Sequence, residues 1–178
     1  MLENLIEKHK KQDVHEVVYR LSYAGKFVIV KNKTLSGGLF FIALGYPSYI
    51  NKGSVPNLSD PLYKHFYDHV IENPGKRFTV RILAKKGRKT GHYELLKTEQ
   101  KALDANRYNE CCLNNATEAY IPLWSESKGK YGWLDKTAVM SFKRWLESNQ
   151  RKLAVNKLEL MKGKPQFKGK YIDLETLK

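Results

Sequence analysis

The sequence predicts a small mixed α/β domain of the α+β type, and three observations carry that expectation. Two β-rich runs, 14–22 and 26–31, lie side by side around a glycine-containing turn. A third run, 78–84, alternates apolar Phe78, Val80, Ile82 and Ala84 with Thr79, Arg81 and Leu83, the period of a strand. Two later segments, 92–106 and the stretch after Asp135, space their apolar residues as helices do. With 42% hydrophobic and 12% aromatic residues over 178 positions, the chain has material for one packed core and an appendage.

Taken in order, Leu2, Leu5, Ile6 and His9 fall at helical spacing, so 2–11 reads as a short amphipathic helix within an N-terminal segment 1–13. Tyr23-Ala24-Gly25 then joins the first two strands as a hairpin, with Gly25 supplying the positive φ of a tight loop. Thr34 to Leu44 reads as a short helix or an irregular loop, and 45–60, rich in Gly, Pro, Ser and Asn, as loop. Ser59-Asp60-Pro61 begins a helix whose stripe is Leu62, Phe66, Val70 and Ile71, stopped by Asn73-Pro74-Gly75. After the third strand, Lys85–Gly91 is a basic turn and 92–106 a helix. Cys111 to Lys130 reads as mostly irregular. Asp135 caps a last helix with Ala138, Val139, Phe142, Trp145 and Leu146 on one face. The core domain is expected over 14–150, with 151–178 a basic tail broken by Gly and Pro.

Charge narrows the partner. The net charge is +14, and residues 1–75 carry 9 basic and 7 acidic side chains against 23 and 11 in 76–178. A small domain needs a charge of only about 2–8 for solubility, so a polyanion, DNA first, is the expected partner. Lys76, Arg77, Arg81, Lys85, Lys86, Arg88 and Lys89 form a run without one acid, suited to backbone phosphates. The longest apolar run, near Leu39–Leu44, is far short of the roughly 20 residues of a membrane span, and the N-terminus lacks a secretory pattern, so no membrane contact is expected. Cys111 and Cys112 are adjacent and cannot staple distant elements, which points to a reducing cytoplasm. Their spacing also fits no zinc site.

One residue points to chemistry. Glu99 sits within the apolar stripe Leu95, Leu96, Ala102 and Leu103, where an unpaired carboxylate is costly. It is either a functional acid or a Glu at the core edge bonded to a basic neighbour. His65 and His69, with Asp68 and Glu72, share a helix face opposite the apolar stripe; a solvated polar face is the preferred reading over a metal site. Gly37-Gly38 lacks the flanking pattern of a phosphate loop. In the tail, Phe167-Lys168-Gly169-Lys170-Tyr171 mixes aromatic and basic residues, which suits base stacking or packing on a neighbour.

A hairpin, a helix, a third strand, a helix with an inward Glu and then Leu113-Asn114 resemble, over roughly 14–116, the GIY-YIG endonuclease family. Val17-Val18-Tyr19 stands at the first name-giving tripeptide and keeps the tyrosine. Val28-Ile29-Val30, just after Gly25-Lys26, stands at the second and keeps neither Tyr nor Gly. Glu99 matches the metal ligand, Leu103 the aliphatic position after it, and Asn114 the asparagine. The resemblance implies a small mixed sheet with an N-terminal hairpin flanked by helices. It also implies phosphodiester hydrolysis with one divalent ion, Mg2+ or Mn2+, held by Glu99, with Tyr19 helping to activate water. The family arginine has no occupant: no arginine lies between Arg20 and Arg77, and Lys31, Lys33 or Lys52 would supply only point charges. Losing such a cation costs about 10²–10³ in rate. The preferred reading is therefore a DNA-associated structural or assembly protein on a degenerate nuclease fold, for example a phage particle component, with a tail that contacts other subunits. The alternative is an active metal-dependent endonuclease using Tyr19, Glu99 and Asn114.

Overall fold

A computed structural model describes residues 13–38, 65, 79–114 and 116–148. The expected helix at 2–11, the loop at 45–60, the helix begun at Ser59 (apart from His65) and the tail from 151 lie outside the described residues. Within them the chain is α+β: two small antiparallel sheets, two helices and a helical turn at 35–38.

The hairpin forms as expected, with β1 (His15–Tyr23) and β2 (Lys26–Thr34) in antiparallel register from Tyr23↔Lys26 to His15↔Thr34. Its loop is tighter than the sequence suggests. Ala24 (φ 49°) and Gly25 (φ 77°) are both left-handed, and this two-residue turn matches the strand twist. A left-handed alanine costs about 1–2 kcal/mol, which hairpin pairing offsets. The third strand, β3 (Thr79–Lys85), pairs antiparallel with β1, so the order is β2-β1-β3 and β1 is central.

Centrality explains why β1 reads as a nearly continuous apolar run. Val17, Tyr19, Leu21 and Tyr23 pack on one face with Val28 and Leu35, while Val18 faces the other with Phe27 and Ile29. A register irregularity between Val18 and Tyr19 breaks the clean alternation expected of β3. Leu83 and Ala84 both pack toward Val18, and Ile82, expected inside, is 41% exposed.

Helix α1 (His92–Ala105) lays Leu95, Ala102 and Leu103 on the Val18 face. Leu96, on its other flank, joins Leu134, Val139, Phe142 and Trp145 in a second cluster under α2 (Lys136–Glu147). Asp135 caps α2 as expected, accepting from the Ala138 N–H at 2.7 Å. Residues 111–114 and 116–130 are mostly irregular, as the sequence suggests, but backbone bonds tie part of them to the sheet. The Phe27 N–H donates to the Cys111 carbonyl and the Leu113 N–H to that of Phe27, both at 2.9 Å, which seals the free edge of β2. Further on, β4 (Trp124–Ser125), β5 (Lys130–Tyr131) and β6 (Leu134–Asp135) make a three-stranded meander. Gly132 (φ 58°) turns β5 into β6, and a Cβ there would lie 2.8 Å from the Pro122 ring.

Candidate functional site

Glu99 turns inward from α1 toward the hairpin, and a cation from β2 meets it. The Lys31 ammonium lies 3.2 Å from Oε2, an ion pair without an aligned hydrogen bond, with side chains 4% (Lys31) and 8% (Glu99) exposed. Lys31 also donates to the Tyr120 carbonyl at 2.6 Å, and the Tyr120 N–H bonds the carboxylate. Burial pushes the Glu99 carboxyl above its ordinary range; the Lys31 ammonium and the Tyr120 N–H pull it back without cancelling that effect. Gln100 fastens the same crossing segment, donating to the Thr117 carbonyl at 2.9 Å and accepting from the Ala119 N–H at 2.9 Å. The strand of chain from Thr117 to Tyr120 is thus strapped over the acid.

Tyr19 and Glu99 do not converge. Tyr19 belongs to the opposite face of the sheet, where its fully buried phenol abuts Gly38: a Cβ on that glycine would fall 2.3 Å from the hydroxyl. This close approach, not phosphate binding, is what Gly38 permits. Among the described residues the hydroxyl has no hydrogen-bond partner, and burial pushes its ionisation further up. Asn114 lies on the Glu99 side but is occupied: its Oδ1 accepts from the Ile29 N–H at 2.7 Å and its Nδ2 donates to the Ile29 carbonyl at 2.9 Å. It acts as one more rung on the edge of β2.

A divalent ion does not fit the residues at Glu99. It would meet the Lys31 ammonium at ion-pair distance, in a place where neither charge is hydrated. Among the described residues no group of three or more His, Cys, Asp or Glu side chains gathers around a common point. His65 departs from the solvated face expected of it: half-buried, its Nε2 lies 2.9 Å from the Tyr23 carbonyl, and its ring packs on Tyr23. His69 lies outside the described residues. Cys111 and Cys112 are free thiols, and burial raises the Cys112 pKa.

The basic run is different. Lys85, the last residue of β3, and Lys86, Arg88 and Lys89 on the turn before α1 are exposed, and Arg81 is half-buried. Lys76 and Arg77 lie outside the described residues. Lys86 pairs with Glu16 at 2.8 Å, and Glu16 continues to His92 Nε2 at 3.0 Å. His92 Nδ1 lies 2.6 Å from Asp135 Oδ2. This bridge, of which only His92 is buried, joins the first strand to the starts of both helices. No sequence spacing announces it, since His92 is 76 residues from Glu16 and 43 from Asp135; only the capping role of Asp135 is local.

Beside the bridge lies an aromatic corner that sequence reasoning also missed. Trp124 and Tyr131 face each other across β4 and β5, ring centroids 5.2 Å apart. Lys136 covers Trp124 at 4.8 Å and Lys143 covers Tyr131 at 5.1 Å, exposed cation–π contacts of about 0.5–1 kcal/mol each. Leu123 next to them is 90% exposed and Tyr120 70%.

Compared with protein-family models, curated proteins and solved structures, the chain matches none. No helix among the described residues is long and apolar enough to cross a membrane. Function therefore has to be argued from the arrangement of these side chains.

Proposed function

We propose that this chain is a DNA-associated structural or assembly protein on a degenerate GIY-YIG-like fold, as in a component of a phage particle, binding backbone phosphates without hydrolysing them. The order of elements supports the fold reading. The hairpin supplies the central strand, the third strand pairs on its far side, the helix after it turns Glu99 toward the hairpin, and Asn114 follows. The observation that carries the non-catalytic reading is the Lys31–Glu99 pair. A carboxylate that is to hold a metal and act on a phosphodiester has to reach solvent and substrate, and this one is neutralised and strapped over by residues 117–120. Tyr19, on the other face of the sheet, adds no reactive group to it.

Binding is assigned to the exposed turn. Among the described residues no acidic side chain pairs with Lys85, Arg88 or Lys89, so their charges are available to phosphates. The Lys-rich tail from 151 is proposed to contact neighbouring subunits, with no metal or other cofactor required.

The test is a plasmid assay in Mg2+ and in Mn2+ beside a duplex gel shift. The expected outcome is binding with no nicking, and binding weakened at least about tenfold when Lys85, Arg88 and Lys89 are all changed to Glu, a loss of about 1.4 kcal/mol or more. Metal-dependent nicking that disappears in Glu99→Ala would overturn the proposal and restore the endonuclease reading.

A further inference from the structure

We infer that the corner formed by Trp124, Tyr131, Lys136 and Lys143 is a stacking platform for the unpaired bases of single-stranded DNA, placed beside the phosphate-binding turn. The inference rests on the DNA-binding reading and extends it to a second kind of contact.

Three features carry it. The rings and cations are already interleaved: each aromatic has an ammonium over it within cation–π range, and Leu123 and Met140 leave apolar surface open around them. A base with its phosphate satisfies both components at once. The base takes the ring face, the lysine swings off a weak exposed contact, and its charge goes to the phosphate. An apolar protein partner would have to cover two ammonium groups without an acid to pair them, which is a poor exchange.

The charge around the corner agrees. Residues 123–147 hold five basic side chains (Lys128, Lys130, Lys136, Lys143, Arg144) against Glu126, Asp135 and Glu147, and Asp135 is engaged by the α2 cap and His92. Position is the third feature. The contacts Lys86–Glu16, Glu16–His92 and His92–Asp135, at 2.8, 3.0 and 2.6 Å, run from the basic turn to the residue preceding Lys136. Turn and corner are therefore linked through a chain of side-chain contacts centred on the buried His92. Bases stacked inside a duplex present no free faces, so only an unpaired stretch can use the rings.

Three probes separate the possibilities by fluorescence anisotropy with the full chain: an oligo(dT) strand, an abasic strand of equal length and charge, and a blunt duplex. The abasic strand is expected to bind about tenfold or more weakly than oligo(dT), the scale of losing one stacked base. Trp124→Ala is expected to lower oligo(dT) affinity about tenfold and to leave duplex affinity within about twofold, and Trp124→Phe to recover most of the loss. Retained duplex binding shows that each variant is folded. Equal affinity for abasic and oligo(dT) strands would overturn the inference, as would a Trp124→Ala chain that loses duplex and single strand alike. Unchanged oligo(dT) binding in Trp124→Ala, coupled with loss of self-association, would assign the corner to a protein interface instead. Failure to bind the duplex at all would sink the underlying DNA-binding reading, a different result from any of these.

Discussion

Moving a lysine and a glutamate out of water costs several kcal/mol per ion, and their mutual attraction repays it only with good geometry and satisfied neighbours. Lys31 and Glu99 have these only in part: they sit 3.2 Å apart and Lys31 also bonds the Tyr120 carbonyl, but Glu99 Oε2 has no aligned hydrogen bond among the described residues. Removing either partner alone leaves a buried charge uncompensated, so Lys31→Met and Glu99→Gln are each expected to cost about 3–5 kcal/mol in urea unfolding. The double change Lys31→Met with Glu99→Leu is expected to fall within about 1 kcal/mol of the native chain or above it. If the single losses simply add, the pair is not a coupled unit. The pH dependence has a definite sign. A carboxyl whose pKa is raised on folding stabilises the native state below the ordinary glutamate value, and that contribution is lost as pH rises through the folded pKa. The double variant should lack this slope. The inward Glu99 was readable because a helix repeats every 3.6 residues and the apolar stripe around it was intact. Its partner was not, because strand register decides which residue of β2 lies opposite. Strand parity does separate Tyr19 from Val18 in the sequence, but which face receives α1 is settled only by packing, and it received the face without the tyrosine.

Elements were legible in proportion to their length. The nine-residue strands and the two long helices announced themselves by period, whereas β4, β5 and β6 have two residues each and no period to read. Asp135 stands between these regimes: its helix cap is a local signal, and its bond to His92 is a tertiary one. Burial pulls its carboxyl upward, but the Ala138 N–H and then His92 outweigh that and hold it below the ordinary aspartate range. A depressed carboxyl stabilises the fold above its unfolded value, about 3.9, and the contribution disappears as pH falls through the folded pKa. Asp135→Asn keeps a competent cap and loses the charge, so it should match the native chain in cap strength while lacking the added acid sensitivity below about pH 4. Asp135→Ala also loses the cap and is expected to cost about 1 kcal/mol more at neutral pH. Urea midpoints at pH 3 and pH 6 compare the three chains. Identical acid sensitivity in native and Asp135→Asn proteins would mean that the carboxylate does no electrostatic work at the His92 bridge.

At the scale of the molecule, the net charge of +14 is what motivates the proposed polyanion partner, but a count of lysines does not say which of them the fold consumes. Lys31 is buried against Glu99 and Lys86 is paired with Glu16, while Lys85 at the end of β3 and Arg88 and Lys89 on the turn after it are exposed. Salt dependence reads this distinction directly. Each phosphate neutralised on duplex DNA releases counterions and adds about 0.9 to the slope of log K against log salt concentration. Changing Lys85, Arg88 and Lys89 together to Gln is therefore expected to flatten the slope by up to about 2.7, with affinity falling evenly across duplex sequences. Lys31→Met should leave the slope where it is, provided the chain is assayed below its lowered unfolding midpoint. A slope unmoved by the triple change would remove the turn from the interface. A slope that responds to Lys31 would mean that the ion pair opens on DNA, which would reopen Glu99 to solvent and with it the question of catalysis.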